Sequence, residues 1–348
     1  MVALFTPASG AFLALTGAHE LFRSEDAGAG WRQVNLPPLG HGDVPDERVV
    51  SVDPTDHQIV YASGADGLYQ SSDDAATWRL ILPYSQDVGW KVQSVAVSPA
   101  DHHLLFAHLA DRNSLSENFT LRSRDAGQSW QTLRHTSTDG RALAYGNLTL
   151  HPTDPRQVFL AVGDDLYQST DQGQTFAVIH GGAGVGYHQR LLGGRGALPG
   201  RWYTAVSHTD VRDGGGSTVY RSDDDGATWS AVLAFRDGVV ANSETVGGAG
   251  TLVSGIAYDP LVPDHLWVAL TTIAADPDDP SVRNVTGRIA ESHDGGASWA
   301  DPDQAIGPAN DLALGVDGRN LYASTPTGVW RLNLNSASTP GALNAPAD

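Results

Sequence analysis

The sequence predicts an all-β chain folded as a single seven-bladed β-propeller of four-stranded antiparallel blades. Three observations carry that expectation. Six segments repeat the pattern Ser-x-Asp-x-Gly-x-Ser/Thr-Trp with small departures, their spacing suits one blade each, and a seventh partial copy ends the chain.

The six segments begin at Ser24 (SEDAGAGW), Ser71 (SSDDAATW), Ser123 (SRDAGQSW), Ser169 (STDQGQTF), Ser222 (SDDDGATW) and Ser292 (SHDGGASW), at spacings of 47, 52, 46, 53 and 70 residues. A short strand precedes each one, such as 67–70, 120–122 or 218–221. A second strand lies ahead of it, such as 59–62, 104–107 or 266–270. An innermost strand comes first and closes in a turn such as Val52-Asp53-Pro54, Val97-Ser98-Pro99 or Tyr258-Asp259-Pro260. The last copy has strands at 312–316, 321–323 and 328–332 but no Ser-x-Asp turn, so its outer strand is either missing or supplied by the tail. The expected propeller spans 1–335, with blades near 2–36, 47–83, 92–135, 142–180, 187–235, 251–303 and 310–334. The Ser-, Pro- and Ala-rich 336–348 reads as a disordered tail.

The repeated turn has a physical logic. Serine and aspartate side chains bond to nearby backbone amides, and glycine accepts a positive φ at little cost. The aromatic residue that follows (Trp31, Trp78, Trp130, Phe176, Trp229, Trp299) is expected to pack between neighbouring sheets. Ala75 stands where the other turns have glycine, which should strain the second turn.

Composition bounds the function. The 348 residues are 41% hydrophobic and carry 21 basic against 40 acidic side chains, a net charge of −19. So acidic a surface argues against a nucleic-acid partner, which needs a basic one. Lys91 is the only lysine. The absence of cysteine removes disulfides and thiolate metal sites and leaves the redox compartment unread. No apolar run approaches the roughly 18 residues that span a bilayer. Residues 1–17 lack the basic start of a signal peptide, so the chain is expected to be cytoplasmic or exported with its leader removed. A monomer is expected.

The repeated turns make the chain resemble the BNR/Asp-box superfamily of propellers from Leu4 to about Leu334. That superfamily includes sialidases, xyloglucan-active hydrolases, sortilin-type receptors and photosystem II assembly and stability factors. The resemblance implies a propeller and is almost mute on activity. The Arg-Ile-Pro segment of sialidases is missing, and its nearest echo, Arg288-Ile289-Ala290, falls on a different strand. Xyloglucan-active relatives usually carry two propellers. The assembly factors match in size and blade count, although their arginine-rich patch is not evident in so acidic a chain.

In such a propeller the Ser-x-Asp turns occupy one face, and ligands meet the opposite, loop-rich one. Arg48, Trp90, Lys91, Tyr145, His188, Arg190 and Asp311 stand near the starts of inner strands, and Arg112 can reach the same funnel from a loop. They are the expected ligand-binding residues for a protein or carbohydrate. A glycosidase generally needs two carboxylates a set distance apart, or a tyrosine nucleophile with a glutamate. Glu47, Glu244 and Asp111, with His188, are the catalytic candidates that a glycan-active alternative would use. The favoured expectation is a non-enzymatic binding or assembly module.

No cofactor and no metal are expected. His57, His102 and His265 each follow an aspartate at what reads as one recurring turn position, a structural role. The run Asp276-Pro277-Asp278-Asp279-Pro280 reads as a rigid solvated loop rather than a Ca²⁺ site.

Overall fold

A computed structural model of the chain describes residues 3–5, 12–16, 20–37, 49–56, 58–64, 66–83, 90–111, 118–133, 146–162, 165–181, 186–193, 198, 200–208, 216–235, 250–276, 278–279, 283–300, 307–315, 318–334 and 341–342. These residues form seven antiparallel sheets and no helix, so none is long and apolar enough to cross a membrane.

Each sheet is built from one continuous stretch of chain. Blade 1 orders β1 (Ala3–Phe5), β2 (Phe12–Leu15), β3 (Leu21–Ser24) and β4 (Arg32–Val34) from the axis outward. Blade 2 repeats this with β5 (Val50–Val52), β6 (Val60–Ser63), β7 (Gly67–Ser71) and β8 (Arg79–Pro83). Blade 3 has β9 (Trp90–Ser98), β10 (Asp101–Asp111), β11 (Asn118–Ser123) and β12 (Gln131–Leu133); blade 4 has β13 (Gly146–Leu150), β14 (Val158–Val162), β15 (Asp165–Ser169) and β16 (Ala177–His180). Blade 5 follows with β17 (Gly186–Gly193), β18 (Trp202–His208), β19 (Gly216–Ser222) and β20 (Ser230–Phe235).

Two blades differ from the other five. Among the described residues, blade 6 is a three-stranded sheet of β21 (Gly250–Tyr258), β22 (Leu266–Ala275) and β23 (Arg283–Ser292), followed by one isolated bridge, Glu291 to Ala300. Blade 7 has β24 (Asp311–Leu314), β25 (Asn320–Thr325) and β26 (Gly328–Asn333). Its fourth strand, β27 (Gly341–Ala342), pairs with Trp330 and Arg331, so the sheet extends into the tail that composition had marked as disordered.

Seven apolar clusters fill the seven seams between neighbouring sheets. The seam between blades 7 and 1 closes the ring. There Phe12 and Ala14 meet Ala313, Tyr322 and Val329, the Phe12 and Tyr322 rings lie 4.3 Å apart, and the Tyr322 hydroxyl donates to the Ala27 carbonyl at 3.3 Å. No strand is shared across this seam among the described residues, so apolar packing does the closing.

The Ser-x-Asp turns are almost superimposable in their bonding. In the second, Ser71 Oγ accepts the Ala75 amide at 2.9 Å, and Asp73 accepts the Thr77 amide at 2.8 Å and its hydroxyl at 2.6 Å. The third repeats this from Ser123 and Asp125, and the sixth from Ser292 and Asp294. Two consecutive residues in each turn have positive φ: Ala126 and Gly127 in the third, Asp74 and Ala75 in the second. Ala75 sits there at +66°, fully buried against blade 1, so that turn keeps its shape without glycine.

Indole N–H groups then stitch blades together. Trp78 donates to the Asn35 carbonyl in blade 1, Trp130 to Ile81 in blade 2 and Trp299 to Val232 in blade 5, each at 3.0 Å.

Candidate functional site

On the face opposite the Ser-x-Asp turns, the second strand of each blade rises to different heights. Measured from the residue that pairs with the turn serine, it ends at Leu15 in blade 1 and Ser63 in blade 2. It continues to Asp111 in blade 3, His208 in blade 5 and Ala275 in blade 6. At the strand rise, about three to six extra residues make those three hairpins roughly 10–20 Å taller. They form an uneven wall around the axis.

The inner strands of these same three blades each carry a β-bulge. In blade 3, His108 pairs with Ser94 and Leu109 with Val92, which leaves Gln93 over. In blade 5, His188 pairs with Val206 and Leu191 with Thr204, so Gln189 and Arg190 oppose the single residue Ala205. In blade 6, Val253 pairs with Leu270 and Gly255 with Ala269, which leaves Ser254 over. The registers of the inner strands in blades 1, 2, 4 and 7 are regular. Bulges re-aim side chains and gather beside sites of function, and every residue they set aside here is polar.

Two bulges expose bonding capacity. Gln93 Nε2 is a buried donor with no hydrogen-bond partner among the described residues, a cost that a ligand or water would relieve. In blade 6, Ser254 Oγ lies 3.2 Å from Thr271 Oγ1, and Thr251 Oγ1 lies 3.0 Å from Thr272 Oγ1, two hydroxyl pairs on opposite faces of the tallest hairpin. Gly255 is required by close approach: a Cβ there would come within 2.9–3.1 Å of the backbone of Asp311 and Leu312. That contact brings the inner strands of blades 6 and 7 together.

The expected site residues distribute as follows. Trp90 and Asp111 are direct cross-strand partners at the top of the blade 3 hairpin, with Lys91 opposite Ala110 beside them. His188 and Arg190 lie on the inner strand of blade 5, Arg190 within the bulge. Asp311 opens the inner strand of blade 7, where its carboxylate accepts the Leu312 amide at 2.9 Å. Glu47, Arg48, Arg112, Tyr145 and Glu244 lie outside the described residues. Gln93, Ser254 and the blade 6 hydroxyls were missed, because a bulge is a mismatch between two strands and neither strand announces it alone. The only hint was strand length, since β9, β10, β21 and β22 are far longer than their counterparts in blade 2.

The acidic run and the Asp-His pairs have different outcomes. Asp276 spends its carboxylate on the Asp278 amide at 2.8 Å and on Asn284 at 3.0 Å, a local turn that holds its pKa down. His265 is not the repeat equivalent of His57 and His102. Strand pairing with the turn serines aligns Val60, Leu105 and Leu266, so His265 matches Ile59 and Leu104. The Asp-His dipeptide recurs in sequence but falls two positions later in the blade 6 turn.

A scan against protein-family models finds none that matches. Among curated proteins, the chain is 26% identical over 290 residues to a xyloglucanase of a Paenibacillus species, covering 80% of this chain and 23% of the relative. The chain spans about a quarter of the length of the curated relatives it matches. Among solved structures, it is similar to the GH74 xyloglucanase from Xanthomonas campestris, with a TM-score of 0.66 at 18% identity over 95% of this chain and 52% of that one. It is also similar to YCF48 bound to D1 peptide, with a TM-score of 0.57 at 13% identity over 96% of this chain and 94% of that one.

Proposed function

We propose that the chain binds a neutral polysaccharide across its loop-rich face, between the tall hairpins of blades 3, 5 and 6. The observation that carries this reading is the coincidence of those hairpins with polar bulges, in a chain whose curated relatives are xyloglucanases. A net charge of −19 repels acidic glycans and leaves neutral ones indifferent. Hydroxyls and amides such as those of Ser254, Thr271 and Gln93 are the groups that recognise sugar hydroxyls. Trp90 supplies an aromatic residue at the rim, opposite the carboxylate residue Asp111.

Calorimetry with a xyloglucan oligosaccharide tests the reading. Expected is saturable binding that weakens at least ten-fold in Trp90→Ala, with none to polygalacturonate; an absence of binding sinks it. A reducing-end assay on the same samples asks about cleavage, for which Asp111 is the carboxylate residue to test. Sugar release by the wild type and not by Asp111→Asn makes the propeller a hydrolase.

A second reading rests on the peptide-bound neighbour, which this chain matches across nearly the whole of both lengths. On that reading the same face takes an extended peptide, and the oligosaccharide gives no signal.

A further inference from the structure

Seven cross-strand pairs occupy one register position around the ring, and one of them breaks the pattern. An apolar or aromatic residue of the second strand faces a polar residue of the third: Leu13 with Arg23, Tyr61 with Gln70, Phe106 with Arg122, Phe159 with Gln168, Tyr203 with Arg221 and, in blade 7, Tyr322 with Arg331. In blade 6 the pair is Trp267 with Glu291, a carboxylate where the others have arginine or glutamine. In blades 3, 4 and 5 that polar side chain donates to a main-chain carbonyl in the turn of the next blade: Arg122 to Gln172 at 2.9 Å, Gln168 to Asp225 at 3.1 Å and Arg221 to Gly295 at 2.8 Å. Blade 7 has no such turn. Glu291 therefore has no donor's role to fill at its seam.

Two histidines converge on it instead. His265 Nε2 lies 2.6 Å from Glu291 Oε1 and His293 Nε2 lies 3.5 Å from the same oxygen. The imidazoles stack with centroids 4.2 Å apart, and the three ligand atoms all fall within 4.8 Å of one another. The indole N–H of the buried Trp267 donates to Glu291 Oε1 at 3.0 Å and fixes the carboxylate from behind. That is the outer-shell support that orients a metal ligand. His265 has escaped the repeat register, as shown above, so the recurring turn does not account for it.

We propose that His265, Glu291 and His293 form a binding site for a divalent transition ion of the Zn²⁺ type. Two imidazoles and one carboxylate are the donor set that borderline ions of this kind take. Bonds of about 2.1 Å in a tetrahedral arrangement put ligand atoms roughly 3.4 Å apart. The Glu291–His293 separation already meets that, and the His265 contact meets it by opening about 1 Å. Side-chain exposure of 18% at His265 and 68% at His293 leaves an entry path and room for water in the fourth position. The ion clamps the turn between β21 and β22 to the turn after β23, on the face away from the glycan site, so the site does not depend on the function proposed above.

The test is Zn²⁺ binding by protein free of any histidine tag, read by calorimetry and by metal content after dialysis. Expected is one Zn²⁺ per chain, weakened ten-fold or more by His293→Ala and by Glu291→Gln, and unchanged by His102→Ala. His293 is exposed, and a circular dichroism melt of metal-free His293→Ala matching the wild type separates ligand loss from misfolding. Less than half an ion bound per wild-type chain, or undiminished binding by His293→Ala, overturns the proposal.

Discussion

Arg122 of blade 3 donates its guanidinium to the main-chain carbonyl of Gln172 in blade 4 at 2.9 Å, while a second nitrogen reaches Gln131 at 2.8 Å. Gln172 has φ of +60°, and the left-handed turn presents its carbonyl to the neighbouring sheet. Turn geometry in one blade thereby becomes adhesion between two.

Replacing that arginine tests the adhesion. Arg122→Met keeps the aliphatic stem but leaves the part-buried Gln172 carbonyl without this donor. A charged hydrogen bond contributes about 1.5–3 kcal/mol, and relief of burying the charge offsets part of its loss. Expected is a loss of about 1–2 kcal/mol in urea unfolding; no loss would show that the Arg122 bond adds nothing to the seam.

Positive φ is strained for any residue with a Cβ, yet the second and third turns resolve this differently. At Gly127, φ is +86° and a Cβ would lie 2.8 Å from Ile81 Cδ1. Backbone strain and overpacking together make Gly127→Ala cost about 2–3 kcal/mol. For Ala75→Gly, relief of about 1 kcal/mol of strain is offset by the roughly 0.8 kcal/mol of a lost buried methyl. That variant is expected to stay within about 0.5 kcal/mol of the wild type. Paired denaturation curves check both.

The turn carboxylates make stability acid-sensitive in a defined window. Hydrogen bonds from Thr77 and Ser129, side chain and backbone, hold Asp73 and Asp125 down at about 2. Their folded values lie below the unfolded value near 3.9, so their stabilisation is complete above about pH 4 and drains away as pH falls toward 2. Urea midpoints at pH 6, 4 and 2.5 should fall mainly over the last interval, and less steeply in Asp73→Asn. A flat profile would mean that the turns do not need ionised aspartate.

The periodic part of this architecture was legible because each Ser-x-Asp turn fixes the strands on both sides of it. The strand expected at 67–70 is β7, Gly67–Ser71, and the short hairpins of blades 2 and 4 follow their Pro-containing turns. What was not legible depends on pairing between strands. Gln93 and Ser254 look like ordinary strand residues until their partners skip a position. His265 looked like His57 and His102 because the eye aligns Asp-His dipeptides, whereas the ladder aligns residues that face the turn serine. For blade 7 the sequence left its outer strand either missing or supplied by the tail, and pairing at Gly341–Ala342 takes the second alternative: two residues of small side chain pair through backbone alone, which composition does not register.

Hydrogen–deuterium exchange with and without a xyloglucan oligosaccharide tests the assignment of the loop-rich face most directly. Expected is added protection in 90–111, 186–208 and 250–276, with the turns at Ser71, Ser123 and Ser222 unchanged. Protection confined to the turn face, or none at saturating sugar, contradicts a glycan site among the hairpins of blades 3, 5 and 6.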